Sequence, residues 1–226
     1  MCLGIIGRGP WGDTYAKTLN RMGVPFWQAS RDWAEMPDVD GVIIASAAKS
    51  HVGLAKHMLL QRTPILIEKP VCLTSQDAER VLKLARHVNG IVFVGHTRLY
   101  SPEWAEFKAS VGKVRTAKAE VGGPCKLDPW FDWGPHLIAM CIDLGLIPDN
   151  CHLRVDGRKK IPLRFEANGK VFDDKVTHPS ALEVLLREFI AAIEAKAPDV
   201  RGLELGLKVI ECIERVQLRR MIANGA

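Results

Sequence analysis

Lys69 is the residue of this chain that cofactor chemistry could use most directly. It follows a strand-like run of three consecutive apolar residues, Ile65 to Ile67, and stands between Glu68 and Pro70. In an open parallel sheet, ligands bind in the crevice at the carboxyl ends of the strands, so this position would bring the Lys69 ammonium to a ligand. A solvated lysine in a strand-to-helix loop is the alternative interpretation.

A glycine motif near the N-terminus predicts which ligand that would be. The segment Gly7 to Gly12 fits G-x-G-x-x-G and lies between an apolar strand-like run and a helical segment. Such a loop lets a pyrophosphate approach the free N–H groups and the positive dipole of the helix start. A glycine turn without a ligand is the alternative. We expect cofactor contacts from the whole loop: Gly7, Arg8, Gly9, Pro10, Trp11 and Gly12.

The end of the second predicted strand bears on the choice of cofactor. An NAD site usually offers Asp or Glu there, whereas this chain offers Ser30 and Arg31. A hydroxyl and a guanidinium suit a 2′-phosphate, so NADP is the preferred cofactor. NAD stays open, because Asp32 would take the acidic role if the strand ran one or two residues further. Ser46 and Glu68 complete the predicted cofactor-binding set.

A second constellation lies in the segment 130–136. Asp132 and His136 stand four positions apart, near a helix start that Pro135 marks. A carboxylate that orients an imidazole makes a usable general acid or base near neutral pH. The structural alternative is that Asp132 caps the helix and His136 is a buried polar residue. Trp133 is either a core residue or an apolar face for a sugar ring.

The elements that would position these residues alternate between strands and helices over the first hundred residues, which is typical of a parallel sheet. The twelve residues between the second and third strands, Ser30 to Gly41, are about the minimum for a parallel crossover. We therefore predict that an outer strand is missing and that the sheet order is 2-1-3-4-5. Strands are expected at Cys2 to Ile6, Val24 to Ala29, Val42 to Ala45, Ile65 to Ile67 and Ile91 to Val94, with helices at Trp11 to Met22, Ser50 to Gln61 and Ser75 to Val88.

The predicted fold class is α/β, a Rossmann-type domain at 1–100 followed by a reduced α+β domain at 101–226. The second domain is expected to contain a strand near Val114 to Val121, a helix near Pro135 to Leu144 and further strands up to Phe172. Two amphipathic helices, from Ser180 and from about Gly202, close the chain.

The composition and charge of the chain give little support to nucleic-acid binding, a membrane span or a metal site. The 226 residues carry a formal charge of +5 with basic and acidic residues interspersed, which gives nucleic-acid binding little support. No apolar stretch is long enough to predict a membrane span. The N-terminus reads as a strand and not a signal peptide, so a cytoplasmic location is expected. The six cysteines contain no Cys-x-x-Cys pair and indicate neither a disulfide framework nor a metal site.

Together these motifs resemble the glucose-fructose oxidoreductase, inositol dehydrogenase and rhizopine-catabolism (Gfo/Idh/MocA) family. The similar segments occur in the family's order: Gly7 to Gly12, Glu68 to Pro70, Arg98 to Pro102 with Val111 to Val114, Asp132 to His136, and His178 to Glu214. The resemblance implies that Lys69 lies beside the nicotinamide and substrate, and that Asp132 and His136 complete a proton-transfer site. It also implies a substrate-pocket role for His96 and Arg98, with a structural role as the alternative.

The implied function is hydride transfer between a nicotinamide and a hydroxyl or keto group of a sugar-like or cyclitol substrate. The chain is about a third shorter than typical members, which motivates one alternative, a non-catalytic NAD(P)-binding regulator or scaffold. Reduction of an imine is another. The expected partner is a small-molecule substrate, without nucleic acid or membrane. Oligomeric state stays open, with a homodimer as the assembly to consider.

Overall fold

The computed structural model describes residues 1–30, 32–174, 180–223 and 225. These residues divide into two compact units, one made of Met1–Gly95 with Leu182–Leu207 and the other of the remaining described residues. The strands among the described residues are β1 Leu3–Ile6, β2 Phe26–Ala29, β3 Gly41–Ile44, β4 Ile65–Ile67, β5 Val92–Val94, β6 Lys118–Gly122, β7 His152–Asp156, β8 Ile161–Ala167 and β9 Lys170–Asp173. The eight α-helices among the described residues are α1 Pro10–Met22, α2 Ala48–Leu60, α3 Ser75–His87, α4 Pro102–Val111, α5 Pro129–Asp132, α6 Gly134–Asp143, α7 Ala181–Glu194 and α8 Arg201–Ala223.

The first unit is built on a five-stranded parallel sheet in the order β2-β1-β3-β4-β5. The predicted order is confirmed, and β2 is an edge strand of this sheet. Strands β1, β3, β4 and β5 are buried along their whole length, which explains their continuous apolar sequences. Helices α2 and α3 pack their apolar stripes inward. The hydroxyl of Thr74 accepts a hydrogen bond from the Asp77 amide, as predicted for the start of α3.

In the described residues of the connection between β2 and β3, a 3-10 turn at Trp33–Glu35 stands in place of a crossover helix. The side chain of Met36 covers β1 directly, since a Cβ at Gly4 would collide with the Met36 sulfur. A methionine side chain from this short connection therefore covers part of β1.

Residues 182–207 return to the first unit, whereas the sequence-based division assigned everything after residue 100 to the second domain. The Phe189 ring of α7 lies 5.5 Å from the Phe93 ring of β5. The carbonyl of Asp199 accepts the Val92 amide at 2.7 Å, next to β5. The apolar stripe of α7 thus belongs to the core of the parallel sheet.

The second unit contains a mixed sheet in the order β7-β6-β8-β9, in which β6 runs parallel to β7 and antiparallel to β8. Its core centres on Trp104 of α4, which stacks on Phe107 at 5.3 Å and meets Phe165 and Phe172 edge-on. The fold class predicted from the sequence is confirmed. In the described part of the chain, no helix is long and apolar enough to cross a bilayer.

Candidate active site

At two glycines of the loop after β1, neighbouring backbone atoms lie so close that no larger residue would fit. The third glycine faces open space. A Cβ at Gly7, where φ is +140°, would collide with the Ala45 carbonyl after β3, and one at Gly12 would collide with the Gly7 carbonyl. At Gly9, by contrast, no described atom lies within 4 Å of an added Cβ. The loop therefore packs tightly against backbone atoms at Gly7 and Gly12 and is open at Gly9. A pyrophosphate needs this arrangement to approach the loop.

Helix α1 begins directly after Gly9, with Pro10 in its first turn. Among the described residues, no side chain caps the amides at this helix start. Gln28 of β2 steadies the loop from the side, because its Nε2 donates to the Gly7 carbonyl at 2.9 Å. The first-turn amides and the helix dipole could hold an anion here.

The carboxyl end of β2 carries two opposite charges. Nη2 of Arg8 donates to the Gln28 carbonyl at 2.8 Å, which holds the guanidinium beside this strand. The Asp32 carboxylate accepts the Ser30 amide at 2.9 Å, and this bond, with smaller help from Arg8, lowers the pKa of Asp32. Arg31, on which the NADP prediction partly depends, lies outside the described residues.

Glu68, at the end of β4, is a buried carboxyl group held from two sides. Its Oε1 accepts the Tyr15 hydroxyl of α1 at 2.6 Å, and its Oε2 accepts the Lys69 amide at 3.2 Å. Gly95 leaves no space on a third side, since a Cβ there would lie 2.7 Å from Glu68 Oε1. Burial raises the pKa of Glu68 to about 6, although the Tyr15 hydroxyl and the Lys69 charge oppose the shift.

Lys69 is half-buried and follows Glu68 directly, with a cis peptide bond to Pro70. His51 of α2 fixes the neighbouring backbone, because its two ring nitrogens each lie 3.0 Å from a carbonyl oxygen, that of Pro70 and that of Ser46. Burial lowers the pKa of His51, although these carbonyls favour the protonated ring. The hydroxyl of Ser46 meets that of Ser50 at 2.8 Å.

These residues share one edge of the sheet. The glycine loop follows β1, Ser46 follows β3 and Lys69 follows β4, and these three strands are neighbours. The structure therefore brings the first-unit half of the predicted site together at the carboxyl ends of adjacent strands.

The other half of the predicted site belongs to the second unit. His136 is 5% exposed and lies in the first turn of α6, as the sequence predicts. Asp132 is the last residue of α5, and its Oδ2 accepts the amides of Lys126 and Leu127 at 2.7 and 3.1 Å. It therefore anchors the preceding loop, a role different from the helix cap considered as its structural alternative.

The three weaker substrate residues also have structural contacts in the second unit. Trp133 Nε1 donates to the Gly123 carbonyl at 2.9 Å, and its ring packs against the core of the mixed sheet. Nη2 of Arg98 forms a 2.7 Å ion pair with Asp174. His96 is buried, directly before the 3-10 turn Thr97–Tyr100.

Sequence reasoning missed Tyr15, Gln28 and His51. Each holds the backbone or carboxyl group of a predicted site residue, and each lies at a sequence position outside the motifs. One available signal was the tyrosine on the buried face of α1, because a buried hydroxyl normally has a hydrogen-bond partner.

Comparison with known proteins finds a family match in the first unit of the chain. A family profile described as "Oxidoreductase family, NAD-binding Rossmann fold" matches residues 4–96. Over residues 4–96, less than half of its length, the chain is similar to the Gfo/Idh/MocA family. The resemblance inferred from the motifs is thereby confirmed, and so is an NAD(P)-binding Rossmann fold.

Two curated proteins illustrate the relationship. The rhizopine catabolism protein MocA of Rhizobium meliloti is 27% identical over 111 residues, which are 49% of this chain and 33% of that protein. An inositol 2-dehydrogenase of Acidothermus cellulolyticus is 33% identical over 76 residues, 33% of this chain and 22% of that protein. The chain thus matches about a third or less of the length of these two Gfo/Idh/MocA relatives.

A solved structure extends the similarity in fold. UDP-N-acetylglucosamine 3-dehydrogenase GnnA from Acidithiobacillus ferrooxidans superposes with a TM-score of 0.80 at 18% identity, and the alignment covers 96% of this chain and 97% of that one. At this level of identity, the likeness concerns the fold alone.

Proposed function

We propose that the chain is an NAD(P)-dependent oxidoreductase that acts on a hydroxyl or keto group of a sugar-like or cyclitol substrate. The observation that carries the proposal is the open space at Gly9, beside a helix start whose amides have no side-chain cap among the described residues. The name of one relative, an inositol 2-dehydrogenase, supports a polyhydroxylated substrate.

The residues present fit a dinucleotide. Gly9 leaves room for the pyrophosphate, the first turn of α1 offers amides to it, and the end of β2 offers Ser30, Asp32 and Arg8 to the adenosine ribose. When bound, the nicotinamide would supply hydride acceptance or donation.

Within this proposal, Lys69 places a cation at the reacting oxygen, where it would stabilise alkoxide character. Glu68 positions Lys69 through the Lys69 amide, and Tyr15 holds Glu68 in turn. His136 exchanges the hydroxyl proton, and Asp132 supports the loop before α5 through the amides of Lys126 and Leu127.

For the cofactor, we propose NADP as the preferred form, on the strength of Arg8 beside the end of β2. Asp32 supports the competing choice, NAD, because a carboxylate at this place suits ribose hydroxyls and repels a 2′-phosphate. The balance between these two charges would set the preference.

A second candidate is a regulator or scaffold that binds the dinucleotide without turnover. The contacts of Asp132 with backbone amides and of Arg98 with Asp174 favour it, because both side chains already have structural partners.

The deciding experiment measures NADPH binding by fluorescence and turnover with a panel of polyols, aldoses and their keto forms. For Lys69→Met and for His136→Ala we expect folded proteins whose turnover falls about a hundredfold or more. Lys17→Met, at an exposed lysine of α1, is the control and should keep full activity. Binding of NADPH without turnover of any substrate would favour the regulator, and full activity of Lys69→Met would refute the proposed role of that residue.

A further inference from the structure

A groove lies at the amino edge of the parallel sheet, at the other end of the strands from the glycine loop and Lys69. Its volume is about 770 Å³, a size that small organic ligands occupy. Residues that directly precede strands contribute to its wall: Asp40 before β3, Pro64 before β4 and Ile91 before β5. All of its lining residues belong to the first unit, so the groove is a property of that unit alone.

Helices α2, α3 and α7 end at this groove with the same backbone motif. In each, the amide of one residue donates to the carbonyl three residues before it, and the next amide donates to the carbonyl five residues before it. The first of these two residues has a left-handed backbone: φ is 57° at Arg62, 53° at Asn89 and 50° at Lys196. A left-handed backbone is costly for residues other than glycine.

Glycine occupies the same position where the motif ends helices away from the groove. Helices α1 and α6 end with the same two hydrogen bonds, and their left-handed residues are Gly23 and Gly145, neither of which lines the groove. The three helix ends at the groove therefore carry polar side chains at positions where glycine would cost less.

These polar side chains are not used within the described part of the chain. Arg62, Asn89 and Lys196 line the groove and make no side-chain hydrogen bond or ion pair with the described residues. Asn168, another described left-handed residue that is not glycine, differs from them, because its side-chain amide donates to two backbone carbonyls at 2.9 and 3.0 Å. The side chain of Asn168 thus serves the fold, whereas the other three are available to a ligand in the groove.

The charged side chains of the groove comprise two of each sign. Arg62 and Lys196 are cations, and Asp40 and Glu194 are carboxylates. Oδ2 of Asp40 accepts the Cys2 amide at 2.6 Å, and Glu194 lies in the last turn of α7, where the helix dipole adds further negative charge. The rest of the wall is largely apolar and includes Met1, Pro64, Val88, Ile91, Ile193 and Pro198.

We propose that this groove binds a free α-amino acid with an apolar side chain. The carboxylate of such a ligand matches Arg62 and Lys196, its ammonium matches Glu194, and its side chain matches the apolar wall. Asn89 can serve either charged group, because a side-chain amide both donates and accepts hydrogen bonds. A ligand with both signs of charge accounts for both pairs of charged side chains, which an anion or a cation alone does not.

The proposal is independent of the proposed oxidoreductase activity, because no residue of the groove belongs to the predicted cofactor or substrate set. The alternative is that the polar side chains act only on their own helices. A basic residue at a helix C-terminus stabilises the helix dipole, and asparagine adopts the left-handed backbone more readily than most residues. That alternative treats each helix end separately and does not account for their meeting at one groove.

NMR titration of the full chain with related probes tests the ligand class. The probes are L-phenylalanine, L-leucine, 3-phenylpropionate, which lacks the ammonium, and phenethylamine, which lacks the carboxylate. We expect L-phenylalanine to bind at least about tenfold more tightly than either of the other phenyl compounds. Absence of binding by both amino acids at millimolar concentration, or equal affinity for the three phenyl compounds, would overturn the proposal.

Glycine substitutions separate ligand binding from helix capping. Arg62→Gly and Lys196→Gly introduce the residue that α1 and α6 carry at this position, so both variants should fold, which thermal unfolding checks. Their affinity for L-phenylalanine should fall about tenfold or more. Lys49→Met removes an exposed cation from the opposite end of α2 and is the matched control, with wild-type affinity expected.

Two results with these proteins would contradict the site. Unchanged affinity in both glycine variants would leave the side chains with a role in the helices alone. Displacement of L-phenylalanine by NADPH would place the amino acid at the glycine loop instead of the groove. We expect instead that L-phenylalanine binds equally well with and without NADPH, because the groove and the glycine loop lie at opposite edges of the sheet.

Discussion

The hydroxyl of Tyr15 donates a 2.6 Å hydrogen bond to the buried carboxyl group of Glu68, the residue that precedes Lys69. This bond connects the first helix after the glycine loop with the end of β4, two elements whose motifs lie far apart in the sequence. The other Glu68 oxygen accepts a hydrogen bond from the Lys69 amide. The Glu68 carboxyl group therefore connects the Tyr15 hydroxyl to the backbone of Lys69.

Tyr15→Phe should destabilise the protein, because it leaves a buried carboxyl oxygen without its donor. The expected loss in the free energy of unfolding is about 1–3 kcal/mol, measured by urea denaturation. The Glu68→Gln background serves as the control in a double-mutant cycle. Additive effects of the two substitutions would contradict the proposed coupling.

The titration of Glu68 should make stability depend on pH. Its pKa is raised from 4.5 to about 6 in the folded state, so the folded protein binds the proton more tightly than the unfolded chain. The resulting stabilisation is fully present below pH 4.5 and is lost as the pH rises through about 6, and it amounts to about 2 kcal/mol. Unfolding of the wild type and of Glu68→Gln should be compared across this range.

The pH-dependent stability that His51 contributes changes with pH in the direction opposite to that of Glu68. Because His51 is present in both proteins, its contribution cancels when wild type is compared with Glu68→Gln. Burial lowers the pKa of His51, so its contribution is present above its ordinary value of 6.5 and lost as the pH falls below it. A difference between wild type and Glu68→Gln that stays constant with pH would refute the assignment to Glu68.

The two glycines Gly9 and Gly12 should respond differently to alanine. Gly9→Ala adds a methyl group to open space, so we expect stability within about 0.5 kcal/mol of wild type but NADPH binding weaker by about tenfold. Gly12→Ala forces a methyl group against the Gly7 carbonyl and should cost about 1–3 kcal/mol of stability. Thermal unfolding and NADPH titration separate the two effects. Unchanged NADPH affinity in Gly9→Ala would count against a pyrophosphate at this loop.

The charges at the end of β2 predict opposite changes in cofactor preference. Asp32→Ala removes a carboxylate that repels a 2′-phosphate and should shift the ratio of kcat/KM values roughly tenfold toward NADP. Arg8→Ala removes a cation that attracts the phosphate and should shift the ratio toward NAD. Kinetics with both cofactors give the ratio, and the hypothesis fails if neither variant changes it.

Much of the first unit could be predicted because its signals are local. The buried parallel strands are short apolar runs, Thr74 starts a helix, and the shortness of the segment after β2 excludes a further strand and helix there. The strand order follows from these facts and the handedness of crossover connections.

The partners of the site residues could not be predicted in the same way. Tyr15 reaches Glu68, and His51 reaches the Pro70 carbonyl, across elements whose sequences contain no trace of the contact. The four-residue spacing of Asp132 and His136 predicts that their side chains can lie near one another, but it carries no information about the Lys126 and Leu127 amides, whose hydrogen bonds the Asp132 carboxylate accepts.

The return of residues 182–207 to the parallel sheet has a consequence for biosynthesis. When a ribosome has made residues 1–95, all five strands of that sheet exist, but the Phe93 ring has not met Phe189 and the Val92 amide has not met the Asp199 carbonyl. Both partners emerge only after the mixed sheet has been translated. The nascent chain must therefore keep an apolar strand soluble while a different unit is being made, and the sheet that carries Lys69 is finished late in translation.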